Sequence, residues 1–160
     1  MKRSERSAPI GAAYIEGVYR YTLLRRWNES EPNVLIIGLN PSTATAISDD
    51  PTVRRCMAYA RSWGFGSVAI GNLFAYRATD PQRLFRARDP VGPKNDEFLR
   101  AMAAEASMVV AAWGNRGVYL NRSEVVQAMF PRLHCLRLTQ ERQPGHPLFL
   151  LKSLRPQQWR

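Results

Sequence analysis

A chain of 160 residues has room for one domain of ordinary size and none for a second. With 45% hydrophobic, 10% aromatic and 22% charged residues it has the make-up of a self-folding globular protein, which excludes an intrinsically disordered chain. Its 23 Lys and Arg against 13 Asp and Glu leave a formal charge of +10, and only Lys2, Lys94 and Lys152 are lysines. The excess is therefore arginine, whose planar fork pairs with phosphates and stacks on bases, so nucleic acid or a nucleotide is an expected partner. A solvated, arginine-rich surface is the plain alternative.

In chain order, residues 1–16 read as a basic flexible leader and 17–160 as a single α/β domain. Residues 18–24 carry β-branched and aromatic side chains and predict a strand at the edge of a sheet. Val34, Leu35, Ile36 and Ile37 form a continuous apolar run ending at Gly38, the mark of a strand buried on both faces. After a polar loop, Asp50 followed by Pro51 reads as a helix N-cap with proline at the first helical position. Val53, Cys56, Met57 and Ala60 then recur on one helix face, and Gly64 and Gly66 end the segment.

Residues 67–74 predict the next strand, followed by a long loop reaching Pro93. A second helix is marked by Phe98, Leu99, Met102, Ala103 and Ala106, and residues 108–113 predict a third buried strand. Val125, Val126, Met129 and Phe130 indicate a further helix, and residues 133–138 a fourth strand. The alternation predicts a three-layer α/β/α fold with a mostly parallel four-stranded central sheet and an added edge strand near the amino terminus.

Cys56 and Cys135 are the only cysteines, too few for a zinc or iron–sulfur site, so no metal or cofactor is expected. Both read as buried thiols in a reducing cytoplasm. The apolar stretch before Glu16 is too short for a signal peptide, and no run reaches the length of a membrane span, so no membrane partner is expected. The oligomeric state is not written in the pattern; a monomer is the simplest expectation.

Ligands of open parallel sheets bind beyond the carboxyl ends of the strands, where helix amino termini and loop amides point outward. That rule selects Asn40, Ser42 and Thr43 after the first buried strand, Asn72, Phe74 and Arg77 after the second, Trp113 and Asn115 after the third, and His146 in the last loop. Asn40, held before a proline, can orient a water or a base edge, or simply make an Asx turn. Asp50 is accounted for by helix capping, which leaves Asp49 as the freer carboxylate for acid–base work. Asn72 can make paired hydrogen bonds to a base edge; its alternative is a satisfied strand-end amide. Phe74, Tyr76 and Trp113 can stack a base or fill the core. Arg77 can hold a phosphate or pair with Asp80 or Asp89. His146 can donate to a developing anion or move a proton.

The strings Leu39-Asn40-Pro41-Ser42-Thr43-Ala44, Asp49-Asp50-Pro51-Thr52, Asn72-Leu73-Phe74-Ala75, Arg77-Ala78-Thr79-Asp80-Pro81, Ala112-Trp113-Gly114 and His146-Pro147-Leu148 resemble an uncharacterised bacterial and phage family, a domain of unknown function. The order of these segments also resembles the uracil-DNA glycosylase superfamily. That resemblance implies a glycosylase-like fold, with Asn40 at the water-activating position, Asn72 where the pyrimidine edge is read and His146 where charge on the departing base is stabilised. Ser42 departs from the glycine of the mismatch-type motif, and Leu148 from the small residue usual in the second motif. The iron–sulfur cysteines of some relatives are absent. Three functions follow as expectations: a glycosylase-like hydrolase acting on a flipped base, a non-catalytic nucleic-acid or nucleotide-binding module, and a small-nucleotide enzyme with Asp49 as base and Arg77 on phosphate.

Overall fold

The computed structural model describes residues 9–160. The first half of the expected leader, residues 1–8, thus lies outside the described residues, but the second half is not flexible chain: Ile10–Glu16 is strand β1. It turns at Gly17, whose φ of +59° suits a residue without a Cβ, and pairs antiparallel with β2 (Tyr19–Arg26). The remaining strands are β3 (Asn33–Gly38), β4 (Ser67–Asn72), β5 (Met108–Ala111), β6 (His134–Cys135) and β7 (Gln157–Gln158). The helices are α1 (Pro51–Ser62), α2 (Pro81–Arg86), α3 (Asn95–Ala104) and α4 (Arg122–Met129), with 3-10 turns at Asn115–Asn121 and Pro147–Phe149.

The strands form one sheet in the order β1-β2-β4-β3-β5-β6-β7. Strand β3 runs parallel to both β4 and β5, and β5 parallel to β6, whereas β2 meets β4, and β7 meets β6, antiparallel. The expected four-stranded, mostly parallel sheet with one added strand therefore gives way to a seven-stranded mixed sheet in an α/β fold. The amino-terminal addition is a hairpin of two strands, and the sheet has a further strand at its other edge. The fourth expected strand, 133–138, shrinks to two residues because the chain beyond it turns into a small bridge between Leu138 and Pro144.

Side-chain alternation explains the layers. Val34 and Ile36 of β3 pack with Val68, Ile70 and Val110 beneath Val53, Cys56 and Ala60 of α1. Leu35 and Ile37 point the other way, with Ala69 and Ala111, onto Leu84, Leu99 and Val126 of α2, α3 and α4. A strand covered on both sides cannot alternate polar and apolar residues, hence the unbroken run in β3. Helix α1 starts as its sequence predicts: Asp50 Oδ1 accepts the Val53 N–H at 2.9 Å, with Pro51 at the first position. Asp80 and Pro81 repeat that signature at α2, inside the segment expected to be loop. Among the described residues no helix is long and apolar enough to cross a membrane.

Candidate functional site

The loops leaving β3 and β4 are an extension of the sheet. Leu73 N–H donates to Gly38 C=O (2.9 Å), Phe74 N–H to Leu39 C=O (3.0 Å) and Ala78 N–H to Pro41 C=O (3.0 Å). Asn40 completes the seam: its Nδ2 donates to the carbonyls of Ala78 (2.8 Å), Pro41 (3.1 Å) and Tyr76 (3.4 Å). The side-chain nitrogen of Asn40 is thereby engaged in holding the two loops together, and its Oδ1 takes no hydrogen bond from the described residues.

The backbone under Asn72 is clamped from below. Asn95 Nδ2 donates to the carbonyls of Asn72 (2.9 Å) and Leu73 (3.1 Å), and Arg122 Nε donates to Leu73 C=O (3.0 Å) while its other nitrogens hold Asp96. The Asn72 side chain has no such support. It is 4% exposed, its Nδ2 is buried without a hydrogen-bond partner, and no described residue bonds its Oδ1. Gly38 lies directly opposite in register, and a Cβ there would stand 3.0 Å from Asn72 Oδ1. The glycine thus leaves room for the carboxamide.

The last loop is brought in by Gly114 N–H donating to Pro144 C=O (2.7 Å) and Gly145 N–H to Arg137 C=O (2.8 Å). Beyond His146 it is pinned by donors spaced four apart on one face of α1 and its C-cap residue Trp63. Arg55 reaches Leu150 C=O (3.0 Å), Tyr59 Leu151 C=O (2.7 Å) and Trp63 Leu154 C=O (3.0 Å). His146 Nδ1 accepts the Leu148 N–H at 3.2 Å and caps the turn that follows. Burial lowers its pKa below the usual 6.5, so at neutral pH the ring is uncharged, with its proton on Nε2.

These segments enclose a small inner cavity of about 40 Å³, walled by Asn40, Ser42, Asn72 and His146 together with Arg20 and Asp50. Leu39 and His146 also line a wider outer cleft of about 620 Å³, with Trp113, Asn115, Arg116 and Arg137 among its walls. The inner cavity has room for little more than a water or two, whereas the outer cleft is in the range of small-molecule sites. His146 stands at the junction.

Arg20 is 3% exposed; it donates to Ala44 C=O (3.2 Å), and its Nε has no partner. Burial pushes its pKa down to about 10, against the pull of Asp50, so it is a cation at neutral pH. Both oxygens of Asp50 accept backbone N–H groups, Val53 at 2.9 Å and Ala44 at 3.2 Å. Burial pushes the Cys56 thiol up to about 12, which makes it an inert wall. Among the described residues no three His, Cys, Asp or Glu side chains are grouped to hold a metal ion.

Of the residues selected from sequence, Asn40, Ser42, Asn72 and His146 meet at the inner cavity, and Trp113 and Asn115 at the outer cleft. Ser42 Oγ bonds Thr79 Oγ1 (3.1 Å), and Asn115 Oδ1 accepts from Thr139. Other expectations need correction. Phe74 is fully buried against Tyr119, so it is core and offers no face for stacking. Trp113, 1% exposed with its Nε1–H on Gln143, is a wall rather than a platform. Asp49 is not free: it holds Arg25 at 2.9 Å, away from both cavities. Arg77 lines neither cavity, and Thr43 is exposed outside both. Arg20 and Asp50 are the residues that the sequence reasoning missed; no local signal marks Arg20, and the capping signature accounts for Asp50 so well that it hides its second position in the cavity wall.

No curated protein and no solved structure matches the chain. The model of a family described as Protein of unknown function (DUF1643) matches residues 20–148, which include both cavities' principal side chains, and the chain belongs to that family.

Proposed function

We propose that the protein recognises a nucleobase, carried by nucleic acid or by a nucleotide, and that the site suits hydrolysis of the N-glycosidic bond in the manner of a uracil-DNA glycosylase. One observation carries this reading: the Asn72 carboxamide, buried and unpartnered, faces a cavity. A buried amide left without partners costs roughly 1–3 kcal/mol, a cost that a ligand bearing the complementary donor and acceptor removes. A base edge is such a ligand, because it sets N–H and C=O groups side by side. The sizes agree with the base ring lying in the outer cleft and only its edge entering the inner cavity.

The chemistry follows from the same walls. The Nε2–H of His146 donates to the base carbonyl on which negative charge gathers as the bond to the sugar breaks. Asn40 Oδ1 accepts from a water and orients it toward the sugar carbon; the water oxygen joins that carbon while the base leaves with the bonding pair and takes up a proton.

The test is calorimetric titration with the common nucleoside monophosphates, beside assays of base release from uracil-containing strands. Wild-type binding that falls at least tenfold in Asn72→Leu supports the reading, and binding of none of them overturns it. A non-catalytic binding module is the second reading, favoured by the carboxylates: Asp49 is tied to Arg25, and both oxygens of Asp50 take backbone donors. Asn72-dependent binding with no base release selects it.

A further inference from the structure

Beside the outer cleft lies a second groove of about 770 Å³, lined in part by Arg142, Trp159 and Arg160. Arg137 and Leu138 line both depressions, so the two adjoin. Four arginines, Arg116, Arg137, Arg142 and Arg160, border this track, and no Asp or Glu lines either part of it. All four are exposed, and among the described residues none is in an ion pair, whereas the buried Arg25 and Arg122 each hold a carboxylate. Unmatched cations gathered along a concave path give a positive field aimed at an extended anion.

The same path carries apolar faces. Phe149 is 85% exposed and its ring centroid stands 5.4 Å from that of His146, at the mouth of the outer cleft. Its ring cannot settle into the core because the backbone just beyond is held by Arg55 and Tyr59 of α1. In the second groove Trp159 is half-buried, with the Arg160 guanidinium 5.4 Å from its ring centroid. Cations interleaved with aromatic faces in a groove are the means by which proteins hold single strands, whose bases are free to stack; in a duplex those faces are hidden.

We propose that a single-stranded polynucleotide lies along this track, phosphates on the four arginines and a base on Phe149, and presents a neighbouring base to the Asn72 cavity. This rests on the nucleobase reading of that cavity and names the form in which the base arrives.

The experiment is fluorescence anisotropy with labelled DNA and RNA single strands of about 12 nucleotides and a hairpin duplex, with nucleoside monophosphates as competitors. Strands of one or both sugars should bind at least a hundredfold tighter than mononucleotides, the two arms deciding which sugar is preferred. The slope of log affinity against log salt should be roughly −3, as four neutralised phosphates on a single strand require. The Arg142→Glu, Arg160→Glu double variant should cut strand affinity tenfold or more and roughly halve that slope while leaving mononucleotide binding unchanged. Phe149→Ala should weaken strand binding with the slope preserved. Strand affinity no better than that of a mononucleotide, a double variant with unaltered slope, or tighter binding of the duplex would each overturn the proposal. Failure of the track alone leaves mononucleotide binding that depends on Asn72; failure of the base reading alone leaves tight, salt-sensitive strand binding indifferent to Asn72→Leu.

Discussion

Arg20 and Arg25 stand on the same strand and are equally hidden from water, yet one is fully engaged and the other is not. Arg25 donates to the Asp49 carboxylate and to the carbonyls of Leu24, Thr45 and Ser48, at 2.6–3.0 Å. Arg20 donates only to Ala44 and keeps a buried Nε without a partner, beside Asn72 in the same condition. The Arg25 corner is complete scaffolding. The Arg20 and Asn72 cavity is polar surface that folding alone does not satisfy.

The largest expected effect lies in the complete corner. Arg25→Ala removes the tether of the 45–49 loop and should lower unfolding free energy by about 2–4 kcal/mol, read from the denaturant midpoint. An unchanged midpoint would break the comparison at its firmer end. Two asparagines sharpen it, Asn72 at the end of β4 and Asn95 at the start of α3: Asn95→Leu strips the donors from the Asn72 and Leu73 carbonyls and should cost about 2 kcal/mol. Asn72→Leu, replacing an unsatisfied amide by a similar apolar volume, should change stability by less than about 1 kcal/mol while abolishing base recognition. Equal losses in both variants would make Asn72 a structural residue. A smaller effect is expected from Gly38→Ala, whose methyl crowds Asn72 Oδ1 and should weaken nucleotide binding by roughly tenfold, about 1.4 kcal/mol.

The smallest effect concerns pH. Burial depresses the His146 pKa below 6.5, so as pH falls the unfolded chain takes up this proton before the folded one. Its contribution to stability is complete above about 6.5 and is lost as pH drops toward the lower folded value. His146→Gln should flatten the stability profile over that range; a steeper profile would reverse the sign of the argument.

Local signals carried much of this molecule. The buried run of β3, the Asp50-Pro51 helix start and the strand-end position of Asn72 are all properties of neighbouring residues, and each is where the sequence pattern puts it. The hairpin strand β1 was hidden because Gly11, Ala12 and Ala13 have little strand preference of their own and are ordered by pairing with β2. Strands β6 and β7 are two residues each, too short for any periodicity. Helix α2 was legible, since Asp80-Pro81 repeats the signature recognised at Asp50-Pro51. The reversal of Asp49 and Asp50 has a different cause: the partner of Asp49 lies 24 residues away, and no local pattern announces it. Phe74 and Trp113 belong to the core for the same reason, as only the packed sheet decides which face a strand-end aromatic meets.

The clamp beneath Asn72 has one more consequence. Asn95 and Arg122 grip the main chain at positions 72 and 73, not the side chain that faces the cavity. Position 72 therefore behaves as a socket whose fitting can be changed while the mounting stays put. On the nucleobase reading proposed above, a different short polar residue there would alter which ligand edge is read without asking the sheet to rearrange.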